Sequence, residues 1–360
     1  MKTNRFFGGL ATLLLSFVVL AACGEEQAPR KEEARIEAPP AGVLWVRGAG
    51  ATFPDPLYKK WIERYQEAQP DVWVTYSAVG SGAGVNRFST GSVDFGASDA
   101  AMSDEQIAQV DRGVYLVPAT AGIIVVAYNL PGITGDLNLP RNVYADIFSG
   151  KITKWNDPRI QDANPDVILP DLTIHLVARR DSSGTTFAFT NHLSAVDETF
   201  RTEGPGVGNL VAWKGHAMLA QGNEGVAQRI KISEGAIGYV GYEFAKRLNL
   251  PMATLENKAG QFIKPGSDAG RNALASAAHQ MPDNLRLFIP DPDGKKAYPI
   301  VTYSWLLLYG QYPDGKKAAA VKDFVTWGLT RGQALSDEIG FIPLPEEVVA
   351  LASQKVNSIQ

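Results

Sequence analysis

From Val43 onward, apolar and polar positions switch repeatedly between a period of two and a period near 3.6, the signature of strands alternating with helices. Leu44–Arg47 predicts a short strand that breaks at Gly48-Ala49-Gly50, and Leu57, Trp61, Ile62 and Tyr65 then recur at helical spacing. Val72, Val74 and Tyr76 mark every second position between Asp71 and Val79, which predicts a half-buried strand. Gly80-Ser81-Gly82-Ala83-Gly84 ends it, and Val85–Phe88 predicts the start of the next helix. Val93–Phe95 reads as a short strand leading into Gly96-Ala97-Ser98-Asp99. Ser103-Asp104-Glu105-Gln106 has the spacing of a capping box, in which the Ser hydroxyl accepts a free backbone N–H and Gln106 reaches back.

The alternation continues. Ile123–Tyr128 predicts a buried strand, Val143–Phe148 a helix, and Leu172–Val177 a strand entering Ala178-Arg179-Arg180-Asp181-Ser182-Ser183-Gly184-Thr185-Thr186, with a helix opening at Phe187. Ala236–Val240 is extended, Pro299–Leu308 is a long apolar strand, and Val321–Leu329 and Glu346–Ala352 are helical. Strand, glycine-containing loop, helix, repeated in this way, predicts an α/β fold with a mostly parallel sheet. Ligands in such sheets gather at the carboxyl ends of strands, where helix N-termini present free N–H groups.

At 360 residues the chain is long enough for two domains. Its single Cys excludes an intramolecular disulfide framework or a Cys-based zinc cluster, and its four His residues never fall at metal-ligand spacing. A formal net charge of −4 excludes a generally basic surface for nucleic acid, while leaving room for a small anion site built from local dipoles. No cofactor is implied.

The first residues read as an address. Lys2 and Arg5 precede an apolar run from Phe6 to Ala22 that is shorter than a spanning helix prefers. Residues 1–22 are expected to be an export signal, with an uncleaved anchor as the alternative. Leu20-Ala21-Ala22-Cys23 resembles a bacterial lipobox, which implies that Cys23 becomes the acylated first residue of the mature protein, palmitate among its chains. More than one chain gives stable anchoring. Residues 24–42, rich in Glu, Pro and Ala, lack the apolar surface to fold and read as a tether, so that 23–42 joins anchor to folded part. An exported, lipid-anchored protein on the periplasmic side or outer face of the cell membrane is expected, and Gly24 after the Cys leaves the outer membrane open.

Each glycine loop has an ordinary explanation: Gly48–Phe53 and Gly80–Gly84 as tight turns, Asp99 as a helix cap, Arg179-Arg180-Asp181 as a surface ion pair. Together they supply what an oxyanion needs. Thr52, Ser81, Ser183 and Thr185 carry hydroxyls, the glycines let backbone N–H groups converge, and an Arg offers a planar fork. Asp99 fits only if the anion carries a proton for it to accept, as phosphate does near neutral pH and sulfate does not. A carboxylate left facing a proton-free anion is costly, so one Asp can separate the two by several powers of ten.

These residues resemble a known family, the substrate-binding proteins of bacterial Pst-type phosphate ABC importers. GAGATFPDPLYKKW, VGSGAG, VDFGASDAAMSD, GKITKWNDP, RRDSSGTTFAFT, EGAIGYVGY and YPIVTYSW occur in the family's order from Val46 to about Val349. The resemblance implies a two-lobed, periplasmic-binding-protein-like α/β fold with mixed, mostly parallel sheets, two connecting strands and the ligand in the inter-lobe cleft. Residues 43–120 and 298–360 would form one lobe and 121–297 the other. It implies phosphate ligands at Thr52, Phe53, Ser81, Asp99, Arg179, Ser183, Gly184 and Thr185, with Asp181 holding the Arg179 fork. Arg180 is the alternative guanidinium. Gly82 stands where some members have a second Ser. The partners implied are inorganic phosphate and the permease and ATPase subunits of an importer, with the binder itself monomeric and not an enzyme.

The sequence is also compatible with three other readings. One is a receptor for sulfate, molybdate or another oxyanion. Another is a serine hydrolase using Ser183 with His175 or His192, although Ser183 does not sit in Gly-x-Ser-x-Gly. The third is a scaffold or adhesion protein. Glu224, Tyr239 and Trp305 are expected to serve packing or the lobe interface, and Trp45, Trp61, Trp73 and Trp155 to be structural.

Overall fold

Residues 39–133 and 135–360 are described by a computed structural model. The export signal, Cys23 and most of the tether lie outside the described residues.

The first strand, β1 (Leu44–Gly50), runs through the glycines expected to end it. The reason is packing: a Cβ on Gly48 would sit 2.1 Å from the Phe95 ring, so the missing side chain makes room for an aromatic neighbour on the sheet. Helix α1 (Asp55–Ala68) buries Leu57, Trp61 and Tyr65 of the predicted face together with Tyr58, while Ile62 is half-buried. After β2 (Val72–Ala78), α2 (Ser81–Ser89) begins at Ser81, four residues before its first large apolar position. Gly80, at φ +98, makes the turn into it. A Cβ on Gly84 would lie 2.4 Å from the Gly50 Cα, so this glycine-rich helix start packs directly on the end of β1.

Strand β3 (Phe95–Ser98) delivers Asp99, and α3 (Asp104–Ala108) carries both bonds of the capping box. Next comes β4 (Val114–Tyr128), fifteen residues long, of which only Ile123–Tyr128 was legible as an apolar run. Its first part contains Pro118, which has no N–H for a ladder. A register shift accommodates it: consecutive Ser304 and Trp305 face Thr120 and Pro118, so Ala119 of β4 is the extra, unpaired residue. The chain continues through β5 (Asn138–Leu139), α4 (Arg141–Phe148) and α5 (Pro158–Gln161) to β6 (His175–Arg179). Helix α6 (Gly184–Val196) opens three residues before Phe187, capped by Ser183. Then follow α7 (Glu198–Thr202), β7 (Met218–Ala220), α8 (Gly222–Ile232), β8 (Ala236–Gly241), α9 (Tyr242–Arg247), β9 (Thr254–Glu256), β10 (Phe262–Ile263) and α10 (Ser267–Ala278). Strand β11 (Val301–Tyr309), α11 (Gly315–Leu329), α12 (Ser336–Ile339) and α13 (Glu346–Asn357) complete it.

One sheet has the order β2-β1-β3-β11-β4-β8-β6-β7. At one end β1 is parallel to β2 and β3; at the other β6 is parallel to β7 and β8. Two antiparallel strands, β11 and β4, lie between these halves. β4 pairs with β11 as far as Ile123 and with β8 from Ile124, so one unbroken strand serves both parallel units. This is the two-lobed arrangement. Buried indoles anchor each part: Trp61 donates to the Gly332 carbonyl at 2.9 Å and Trp155 to that of Gly235 at 3.0 Å. Among the described residues no helix is long and apolar enough to cross a membrane, and no group of three or more His, Cys, Asp or Glu could hold a metal ion.

Candidate functional site

Four chain segments meet where the parallel strands of the two lobes end. Thr52 and Phe53 follow β1. The Phe53 ring is buried edge-on to Phe341 and fills space that Cβ atoms on Gly122 and Gly241 would take, so its backbone alone faces the cleft. Ser81 opens α2, and its hydroxyl accepts N–H bonds from Gly184 at 3.0 Å and Asp99 at 3.3 Å. A Cβ on Gly184 would stand 2.7 Å from both Ser81 Oγ and Asp99 Cβ, which explains the glycine at this contact between lobes.

Asp99, at the end of β3, is 1% exposed. Its Oδ1 accepts the Ser304 hydroxyl at 2.8 Å. Burial pushes its carboxyl up to about 7, against the opposing pull of Ser304, the Arg179 guanidinium and the Thr185 hydroxyl. A carboxyl poised near neutrality can accept or hold a proton in this place.

Arg179, the last residue of β6, is buried, whereas Arg180 is exposed and bonds through its backbone N–H to Ala220. The Arg179 fork grips Asp181: Nε donates to Oδ1 at 2.9 Å and Nη2 to Oδ2. Nη1 reaches Thr185 Oγ1 at 3.5 Å. Burial pushes Asp181 up, but Arg179 and the Gly222 N–H outweigh it and hold the carboxyl below its usual range. Ser183 caps α6 by accepting the Thr186 N–H at 3.1 Å. Thr52, Ser81, Asp99, Arg179, Ser183 and Thr185 are all buried around this one cleft.

The N-termini of α2, α6 and α8 converge on it, and their free N–H groups and dipoles favour negative charge. Hydroxyls add further donors, Asp181 neutralises Arg179, and Asp99, bonded to Ser304, adds a buried acidic acceptor. The arrangement suits a small, hydrogen-bonding anion.

The structure adds residues that the pattern did not reveal. Asn223, in the first turn of α8, bonds to both Thr52 and Thr185; read along the chain it is one more polar residue at a helix start. Ser304 lies inside an apolar strand, and only the pairing of β11 with β3 brings its hydroxyl to Asp99. Tyr239 does pack, stacked on Phe189 at 4.5 Å, but its hydroxyl also meets Thr186 Oγ1 at 2.7 Å and accepts the Arg179 N–H. Glu224 pairs with Arg247 on the surface and Trp305 donates to the Leu285 carbonyl, both outside the cleft contacts. Gly82 donates its N–H to the Ser182 carbonyl, and its missing Cβ is what lets the Ser182 side chain approach. His192 is held between the Tyr144 hydroxyl and the Pro290 carbonyl, and His175 is exposed at the start of β6; the bonds of His192 do not involve Ser183.

A family model for the PBP superfamily domain matches residues 25–331. The chain is 40% identical over 305 residues to the phosphate-binding protein PstS of Pasteurella multocida, covering 84% of this chain and 87% of that relative. It is 38% identical over 308 residues to PstS of Haemophilus influenzae, covering 85% and 90%. A solved high-affinity periplasmic phosphate-binding protein, PfluDING, bound with phosphate, matches with a TM-score of 0.71 at 21% identity, covering 85% of this chain and 92% of that one. A phosphate-binding protein from Stenotrophomonas maltophilia matches with a TM-score of 0.70, also at 21% identity, over 87% and 94%. These structural likenesses show the two-lobed fold.

Proposed function

The chain belongs to the PstS family within the PBP superfamily, and from that membership we propose that it captures inorganic phosphate between its lobes and delivers it to an ABC importer. Residues 43–120 with 298–360 act as one lobe and 121–297 as the other. Thr52 gives hydroxyl and N–H, Phe53 its N–H, and Ser81 hydroxyl and N–H. Arg179 gives its fork, Ser183 its hydroxyl, Gly184 its N–H and Thr185 both groups. Asp181 holds the Arg179 fork in place. Fixed dipoles that cost no reorganisation can hold the anion inside a chain of net charge −4.

One observation carries the reading: among the hydroxyls and helix starts of this cleft, Asp99 at the end of β3 is a buried carboxyl that accepts from Ser304 and is acted on by the Arg179 guanidinium and the Thr185 hydroxyl. A donor-only site would take any tetrahedral oxyanion. An ionised Asp99 accepts the proton of hydrogen phosphate and repels sulfate, so it acts as the selector. Closure removes water, which strengthens every one of these bonds. Export, acylation at Cys23 and a tether over 24–42 would keep the binder at a membrane face, where the closed form docks on the permease and the ATPase subunits supply the work. This reading makes the chain a monomeric binder rather than an enzyme.

Calorimetric titration of the anion-stripped protein with phosphate and then sulfate tests it. Tight one-to-one phosphate binding with no sulfate heat is expected. Equal binding of the two anions removes Asp99 as selector, and binding of neither by a folded protein overturns the transport reading.

A further inference from the structure

Asn223 is 1% exposed and makes four hydrogen bonds that join both lobes. Its Oδ1 accepts the Gly241 N–H at 3.0 Å, at the end of β8. A backbone N–H only donates, so this bond settles which end of the carboxamide is oxygen. The NH2 end then faces the cleft. It carries two protons, and Nδ2 lies 3.0 Å from Thr52 Oγ1 and 3.2 Å from Thr185 Oγ1.

A hydroxyl has one proton to give and room to accept two. Thr52 Oγ1 accepts both from Asn223 Nδ2 and from the Asn223 backbone N–H at 3.2 Å. Thr185 Oγ1 accepts from Asn223 Nδ2 and, at 3.5 Å, from Arg179 Nη1. Both oxygens therefore have their accepting capacity filled, and each hydroxyl can only donate.

We infer that Asn223 is a positioning residue: its carboxamide turns the Thr52 and Thr185 hydroxyls into obligate donors to acceptors in the cleft, the bound anion among them, and it latches the two lobes together through them. The inference deepens the phosphate reading above and rests on it. A cleft hydroxyl free to rotate would accept from a neutral, donor-rich solute as readily as it donates to an anion; one fixed as a donor prefers the anion. Because Asn223 and Thr185 lie in one lobe and Thr52 in the other, the same bonds must break before the cleft opens.

The test uses the full chain, stripped of anion, with inorganic phosphate as the probe in calorimetry and stopped-flow kinetics. Asn223→Asp keeps the shape but replaces the donating NH2 with an oxygen that takes protons. The expected result is a loss of phosphate affinity of at least about 100-fold, carried mainly by faster dissociation, in a protein that melts as the wild type does. Asn223→Ala, which removes the carboxamide without adding charge, is expected to lose about tenfold, again in the dissociation rate. A folded Asn223→Asp within threefold of wild-type affinity overturns the inference. If that variant does not fold, Asn223→Ala decides on the same threefold criterion. If neither folds, the wild-type Asn223 side-chain amide protons decide, since they must become protected from exchange when phosphate is added. Wild-type protein that binds no phosphate overturns the reading beneath, and the inference with it; wild-type binding with indifferent variants overturns the inference alone.

Discussion

Asp99 combines deep burial with the charged, proton-accepting role proposed for it. Burial raises its carboxyl from the ordinary 3.8 to about 7, so between those values the folded protein holds a proton that the unfolded chain has released. The resulting stabilisation is complete below about pH 4 and is lost as pH rises through 7. Asp99→Asn is therefore expected to match the wild type in acid and to exceed it in stability at pH 8; equal denaturation midpoints at pH 8 would sink this account. On the proposed reading the same titration governs selectivity. Below about pH 7 a protonated Asp99 can donate to sulfate, so competition by sulfate should grow from pH 8 to pH 5 in the wild type. In Asp99→Asn it should be present throughout, as competition titrations would show. Arg179 and Arg180 adjoin in sequence, yet one is buried on Asp181 and the other exposed. Hydrogen bonds to charged groups are worth about 1.5–3 kcal/mol each, so Arg179→Ala should cost roughly 100-fold or more in phosphate affinity and Arg180→Ala little. The reverse order in calorimetry would move the ligand to Arg180. Residue types were legible here because an oxyanion demands hydroxyls, glycines and a fork; Asn223 and Ser304 were not, because nothing along the chain marks them.

At the scale of elements, the site is a meeting of helix starts, and small residues set how close they come. Gly184 sits at the first turn of α6, without positive φ, against Ser81 and Asp99 of the other lobe. Ala in a helix is favoured over Gly by up to about 1 kcal/mol, so Gly184→Ala should leave the ligand-free protein as stable as before or more so. The added Cβ, 2.7 Å from Ser81 Oγ, should nonetheless hold the lobes apart and reduce phosphate affinity at least tenfold. Paired melting and titration experiments check this split, and an unchanged affinity would show that the contact yields. The capping box at Ser103 was readable because both its partners lie within four residues. Helices α2 and α6 start earlier than the apolar period predicts, because hydrophobic periodicity begins only once a helix has a buried face. Their first turns hold Ser, Gly and Thr, small or polar residues that no apolar period marks. The apolar run marks only Ile123–Tyr128 of β4, because Pro118 joins the ladder only through a bulge at Ala119.

At the scale of the whole molecule, both parallel units hang on the same two strands, β4 and β11, so the closure proposed here would bend both units about one shared pair. A ligand bound only by the folded, closed form stabilises it by mass action, about 2.7 kcal/mol at one hundred times Kd. The melting temperature should therefore climb with phosphate concentration and stay level with sulfate at pH 8; a parallel climb with both anions would count against selection by Asp99. The sequence alone determined the α/β class, the run of glycine loops and most of the donor set, because periodicity and residue chemistry are local and survive projection onto a line. It was also enough to show the family resemblance, carried by GATFP, FGASDA and DSSGTT in order. Only the tertiary structure decided which arginine points inward, how Ser304 reaches Asp99 and how Asn223 ties Thr52 to Thr185. Those contacts join residues 38 to 205 positions apart. Their geometry comes from strand order and register, which no local pattern encodes.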